Sequence, residues 1–213
     1  MDILKRISDC IVNMERENIK DLVLEALSNE ELTIEEIYHS GLNDGMTRAL
    51  DKFEEKEYYL PEIIVCADTL NEGISLLKEK GDIKKDSKAT IALAVVEGDT
   101  HEIGKNIVKI MMEASGYNVL DLGVNQNSQC IIDEAIKNKA DIIGLSSMMT
   151  TTMENMKTVI NDLHRMNLEK RPKVIIGGGP VNNDFAKEIG ADGYSPNAPK
   201  AVSLIKKLME EDI

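Results

Sequence analysis

The hydrophobic period of this chain changes near residue 82, and that change limits its architecture more than any other feature. Up to that point apolar residues recur only at helical spacing. Ile3, Leu4, Ile7, Ile11 and Met14 form one stripe, and Ile19, Leu22, Val23, Ala26 and Leu27 form a second. Thr33 followed by Glu36 is a capping box, so a third helix starts there. Its stripe runs from Ile34 through Ile37, Tyr38, Leu42, Met46 and Leu50 to Phe53. A fourth helix opens at Leu60-Pro61, where proline's missing N–H costs nothing. Four amphipathic helices with short joints predict an N-terminal four-helix bundle over residues 1–82.

The polar stretch GDIKKDSK, 81–88, reads as a linker. Beyond it, short apolar runs alternate with helical stretches. The runs IALAVV, YNVLDL, DIIGLS, KVIIGGG and ADGYS are the predicted strands. Helices are predicted from Gly104 and near Ser128, Thr152, Asp184 and Pro199. This pattern predicts an α/β domain over 83–213, a Rossmann-like (flavodoxin-like) five-stranded parallel sheet. Such sheets bind ligands beyond the carboxyl ends of their strands. Three loops fall there: GDTHEIG, SSMMTTT and GGGPVNN.

Composition removes several function classes. A net charge of -13 opposes binding to nucleic acid or to an anionic membrane. Aromatic residues are 3% of the chain and tryptophan is absent, which leaves few stacking platforms for bases. No apolar run approaches the roughly 20 residues of a membrane span. The N-terminus has no apolar core of a signal peptide, so a cytoplasmic protein is expected. Three cysteines, far apart, argue against a disulfide framework or a zinc knuckle. Neither G-x-G-x-x-G after the first strand nor a Walker lysine is present, which disfavours a nucleotide site.

Each candidate loop has an ordinary reading beside a functional one. His101, in a chain with three histidines, could be a plain surface residue. Asp99 two residues earlier changes its chemistry, because a carboxylate can hold one ring nitrogen and leave the other a better metal donor. A lone histidine holds a bare ion poorly, but a metal inside a macrocycle needs only one or two protein ligands. The Gly177-Gly178-Gly179 turn could be a cradle or a common strand end. SSMMTTT, 146–152, could cap a helix. By periodicity Met46, Phe53 and Leu60 read as core. Cys66 and Cys130 read as buried small apolar residues.

Asp99-Thr100-His101-Glu102-Ile103-Gly104 resembles the D-x-H-x-x-G signature of cobalamin-binding domains. The longer stretch Gly98–Val108 resembles that of methionine synthase and of small methyltransferase corrinoid proteins, and the stretches MMTTTM and EYYLPEIIVCADTLNEGI resemble the corrinoid proteins of methylated-amine and betaine systems. Ser146-Ser147-Met148 stands at the family's S-x-L motif, with methionine for leucine. Ile176–Val181 resembles its second glycine motif, Tyr194–Val202 its last strand–helix turn, and Gly41–Pro61 the end of its capping bundle. The resemblance spans nearly the whole chain, in order.

The resemblance implies cobalamin, a corrinoid cobalt, as cofactor, bound also as methylcobalamin. It implies His101 as lower axial ligand of the metal, with Asp99 and Thr152 in a hydrogen-bond relay behind it. Gly104, Ser146, Met148, Gly177, Gly178 and Gly179 would line a slot for the displaced nucleotide tail. Phe53 and Leu60 would shield the upper face, which reverses their reading as core alone. The implied function is that of a carrier, a corrinoid-bearing subunit and not a stand-alone catalyst. It would accept a methyl group on Co(I) from a substrate-specific methyltransferase, with a methylated amine or betaine as donor. It would pass the group to a second methyltransferase acting on a thiol or tetrahydrofolate. A reductive activation protein is a further implied partner. Systems using methanol or methoxy compounds, or a cobalamin-dependent sensor, are the alternatives.

Overall fold

Helical and strand-forming segments separate along the chain in the computed structural model, which describes residues 2–81, 88–166 and 168–210. Two units result, Met1–Asp86 and Ser87–Ile213. The expected linker at 81–88 lies almost wholly outside the described residues.

The first unit is helical, with α1 (Ile3–Val12), α2 (Ile19–Leu27), α3 (Ile34–Glu36), a π-helical segment (Ile37–Asn43), α4 (Asp44–Glu54) and α5 (Leu60–Lys80). Both halves of the Thr33–Glu36 capping box form. Ile7, Ile11, Val23, Ile37, Leu42, Met46, Ile63 and Leu77 make a fully buried core. The predicted third helix is one helical run, but not a uniform α-helix. Ile37 and Leu42 are five apart and both fully buried. An α-helix would turn such a pair about 140° away from each other. The wider π turn returns both to the core.

The second unit alternates β1 (Thr90–Val95), α6 (Ile103–Ala114), β2 (Asn118–Asp121), α7 (Ser128–Lys137), β3 (Ile142–Ser146), α8 (Glu154–Arg165), β4 (Lys173–Gly177), α9 (Asn183–Ile189), β5 (Gly193–Tyr194) and α10 (Ala198–Glu210). The five strands form one sheet in the order β2-β1-β3-β4-β5, and every pairing is parallel. Alternation along the strands builds two apolar layers. Ala92, Ala94, Ile143, Leu145, Val174 and Ile176 pack with residues of α7, α8 and α9. Ile91, Leu93, Ile142 and Ile175 pack with Met112 of α6 and with Ala201, Ile205 and Leu208 of α10. Strand β1 has β2 on one side and β3 on the other, which makes its carboxyl end a switch point for ligand binding.

Two sequence expectations shift here. Val96 leaves strand β1 and bridges Gln126 instead. Helix α8 starts at Glu154, two residues after Thr152, because the turn Met149–Thr152 is closed by its own hydrogen bond. Cys66 is buried as expected, whereas Cys130 on α7 is only half-buried. Among the described residues, no helix is long and apolar enough to cross a membrane.

Candidate functional site

Three loops meet at the carboxyl ends of β1, β3 and β4, and a buried carboxylate joins two of them. After β1 the chain turns at Gly98, whose φ of +81° suits glycine. Its N–H donates to Asn125 Oδ1 at 2.7 Å, and Asn125 N–H donates to the Asp99 carbonyl at 2.9 Å. The loop after β2 thus fixes the backbone on both sides of the turn. The Asp99 side chain is fully buried.

Asp99 Oδ1 accepts from the His101 backbone N–H at 3.0 Å and meets His101 Nδ1 at 2.8 Å. Asp99 Oδ2 accepts from Met148 N–H at 2.7 Å, Thr152 Oγ1 at 3.0 Å and Ser147 Oγ at 3.2 Å. Burial alone would push this carboxyl up. The backbone N–H groups of His101 and Met148, then the His101 ring and Thr152, overcome that and hold it far below the usual carboxylate range. As an anion it can only accept, so Nδ1 of His101 carries the proton. Nε2 is then the nitrogen with a lone pair to offer. The His101 side chain is 57% exposed while its partner is 0% exposed, so a rigid, dry anchor presents a reachable ring.

The glycine turn after β4 is shaped by contact with the β3 loop. Gly178 has φ +129°, and a Cβ there would lie 1.8 Å from the Ser147 carbonyl oxygen. No other residue fits without moving that backbone. A Cβ at Gly179 would meet Met148 Sδ at 2.9 Å, and one at Gly177 would meet the Ser195 carbonyl at 3.1 Å. Gly104, in the first turn of α6, differs: a Cβ there would meet nothing within 4 Å.

The structure therefore brings Asp99, His101 and Thr152 into one hydrogen-bonded cluster, with Met148 joined through its backbone. Gly177, Gly178 and Gly179 line the neighbouring turn. Ser146 is the last residue of β3, in register with Val95 and Gly177, and is half-buried. Its side chain has no place in the Asp99 cluster. Phe53, near the end of α4, and Leu60, the first residue of α5, are both half-buried in the helical unit.

Two residues in this region escaped the sequence reading. Ser147, fully buried and adjacent to Ser146, occupies the cluster. Strand alternation could have found it, since Ser147 shares the parity of Ile143 and Leu145, which face the α7 and α8 layer. Lys105 is the second. Its side chain is 2% exposed, and Nζ donates to Asp121 Oδ1 at 2.5 Å and to Asn106 Oδ1 at 2.8 Å. Asp121 also accepts from Gly123 N–H at 3.0 Å, so the first turn of α6 is pinned to the end of β2. A single lysine in a helix stripe carries no signal of burial.

Among the described residues, no group of three or more His, Cys, Asp or Glu could hold a metal ion. One imidazole nitrogen is too little for a bare cation, but it suits a metal whose other ligands come from a macrocycle. The surroundings agree with a large, partly apolar group. Ile103, the first residue of α6, is 78% exposed, Met148 in the loop after β3 is 57% exposed, and Gly104 leaves backbone uncovered.

Comparison with known proteins converges on one kind. Residues 89–203 match the B12 binding domain family, and residues 3–78 match a second family also described as a B12 binding domain. A corrinoid protein of Desulfitobacterium hafniense is 36% identical over 98% of each chain. Dimethylamine corrinoid protein 3 of Methanosarcina acetivorans is 35% identical over 97% of each chain. A chain of the methanol:cobalamin methyltransferase complex MtaBC from Methanosarcina barkeri superimposes with a TM-score of 0.88 at 28% identity, covering 98% of this chain and 80% of that one. With a B12 binding domain in each half and relatives of one kind along its length, this chain belongs to the methyltransferase corrinoid proteins and binds cobalamin.

Proposed function

We propose that this chain is a methyl carrier for a methylated amine, with His101 Nε2 as the protein's ligand to the corrinoid cobalt. The observation that carries the ligand assignment is the pairing of Nδ1 with a buried, anionic Asp99, which fixes the tautomer a metal requires. When bound, the corrinoid supplies a cobalt centre that takes up and releases a methyl group.

The residues divide the remaining work. Asp99 orients the ring and makes its free nitrogen a better donor, and Thr152 holds the carboxylate in place. Gly104, Ser146, Met148 and the turn Gly177, Gly178, Gly179 would hold the nucleotide tail. The open space over Gly104 and the exposure of Met148 support that part. Phe53 and Leu60 would protect the bound cofactor, a role that rests only on the resemblance of Gly41–Pro61 to the family's capping segment.

A methylated amine is the donor favoured by the names of the relatives, dimethylamine corrinoid protein 3 among them. The methanol reading has less behind it, since the methanol complex shares 28% identity with this chain against 35% for that protein. The donor-specific methyltransferase, an acceptor methyltransferase acting on a thiol or tetrahydrofolate, a reductive activation protein and a cytoplasmic setting complete the proposal.

The test uses apoprotein grown with 15N-histidine, loaded with hydroxocobalamin and reduced to Co(II). Electron paramagnetic resonance should show a nitrogen splitting that changes with the protein's isotope. A splitting that follows only labelled dimethylbenzimidazole would reject His101 as ligand.

A further inference from the structure

Two hydroxyls, not one, lie within hydrogen-bond reach of Asp99 Oδ2 and of each other. Ser147 Oγ and Thr152 Oγ1 are 2.8 Å apart, and each also reaches Asp99 Oδ2, at 3.2 Å and 3.0 Å. Both residues are buried. We infer that Ser147 is a second positioning residue for the His101 ligand, interchangeable with Thr152 as the hydroxyl that holds Asp99.

Each hydroxyl has one proton to give. The acceptors in reach are Asp99 Oδ2, the other hydroxyl's oxygen and the Met149 carbonyl, which lies 3.2 Å from both. That carbonyl already takes the backbone N–H groups of Thr152 at 3.2 Å and Met153 at 3.1 Å. Its two lone pairs are therefore engaged, and it competes poorly. Three arrangements remain: both hydroxyls donate to the carboxylate, or Thr152 donates to it and Ser147 donates to Thr152, or those last two roles exchange. Each leaves every buried side-chain polar atom among the described residues with a partner. All three are available with no change of rotamer, because the three oxygens already lie within bonding distance of one another.

Losing either hydroxyl therefore leaves the other to hold Asp99, and losing both leaves Oδ2 only the Met148 N–H. Coupled groups of this kind give effects that do not add. The inference rests on His101 as ligand for its consequence, but not for its geometry, which belongs to the protein alone.

The test is a double-mutant cycle on the full chain, with Ser147→Ala, Thr152→Val and the pair. Hydroxocobalamin affinity should fall about 3-fold in each single variant, the order of one net hydrogen bond. In the pair it should fall about 30- to 100-fold, the range for a lost outer partner of a metal ligand, and beyond the product of the singles. Proton NMR of the 15N-labelled apoprotein gives a readout without cofactor. The His101 Nδ1–H resonance should stay sharp in both singles and broaden by solvent exchange in the pair. Ser147→Ala combined with Thr152→Ser should match Ser147→Ala alone, which keeps the test open if the pair fails to fold.

The inference is overturned if Thr152→Val alone matches the pair, if the single effects simply multiply, or if Thr152→Ser fails to rescue. A failure of the ligand assignment is told apart by the Co(II) splitting, because the apoprotein resonance reports the hydroxyl pair whether or not His101 binds cobalt.

Discussion

The two units bury polar groups to different ends. In the helical unit, fully buried Ser8 donates to Asp44 Oδ2 at 2.5 Å and accepts from Arg48 Nη1 at 2.7 Å. The same guanidinium nitrogen pairs with Asp9 at 2.7 Å. That network ties α1 to α4 and carries its own cation. In the sheet unit, Asp99 takes five donors, none of them a permanent cation, and one of them is the ring of a half-exposed histidine. A buried hydroxyl between a carboxylate and a fixed cation fastens helices. A buried anion without a fixed counterion is poised to strengthen a ring that takes on positive charge or a metal. The contrast says which network is structural and which is chemical, and each can be broken.

The largest effect is expected in the helical core. Leu42→Ala removes a fully buried side chain from the π segment and should cost about 2–5 kcal/mol. Denaturant unfolding of the apoprotein checks it. Phe53→Ala and Leu60→Ala should each cost less, since both side chains are half-buried. They should instead speed photolysis of bound methylcobalamin. An unchanged photolysis rate in the double variant would make them parts of the helical unit and nothing more.

Second is His101→Ala. The ring is exposed and Asp99 keeps four other donors, so the apoprotein should melt close to the wild type. Cobalamin affinity should drop by at least about 10-fold, and the imidazole splitting of Co(II) should vanish. Equal melting with an unchanged spectrum would erase the distinction between the two networks.

What the sequence disclosed follows the same line. Asp99 and His101 were legible because one of only three histidines sits two residues from an aspartate in a loop at a strand's carboxyl end, where the fold gathers ligands. The strands were legible because short, wholly apolar runs such as Ile91–Val95 alternate with helical stretches, and the bundle because its stripes hold the helical period. Ser147 was not, since two adjacent serines look alike until the pleat assigns them to opposite faces. The π segment was hidden because one added residue per turn changes the facing of a stripe without changing its composition. Lys105 was hidden because its partner Asp121 stands on another element, sixteen residues on.

Third is a pair that stabilises the sheet away from the site. Arg171 grips Asp192 with two bonds, at 2.7 Å and 2.8 Å, and Val174 N–H donates to Asp192 at 2.7 Å. Burial would raise the Asp192 carboxyl, but Arg171 and the Val174 N–H prevail and hold it low. A depressed carboxylate contributes stability above its unfolded pKa, about 3.9, and loses it as pH falls through that value toward the folded one. Asp192→Asn should therefore cost about 1–2 kcal/mol at pH 7 and less at pH 3. Urea midpoints at the two pH values measure the gap. A gap that does not shrink in acid would show that the pair acts by shape and not by charge.

The smallest effect, at Gly104, is best seen with one glycine of each unit set against the other. Gly45 lies where α4 crosses α1, and a Cβ there would meet the Ser8 carbonyl at 2.7 Å and Ile11 Cβ at 2.9 Å. Gly45→Ala must therefore push two helices apart and should destabilise the protein with or without cobalamin. At Gly104 a Cβ meets nothing within 4 Å, and the residue sits in the first turn of α6. Alanine is the better helix former and reduces the freedom of the unfolded chain, so Gly104→Ala should stabilise the apoprotein by about 0.5 kcal/mol. If this glycine is there to let the nucleotide tail approach the backbone, the same methyl group must weaken cobalamin binding. Opposite signs in apoprotein melting and in hydroxocobalamin affinity are the expected result. A gain in melting with no loss of affinity would remove Gly104 from the slot, because a site that tolerates the added carbon does not need its absence.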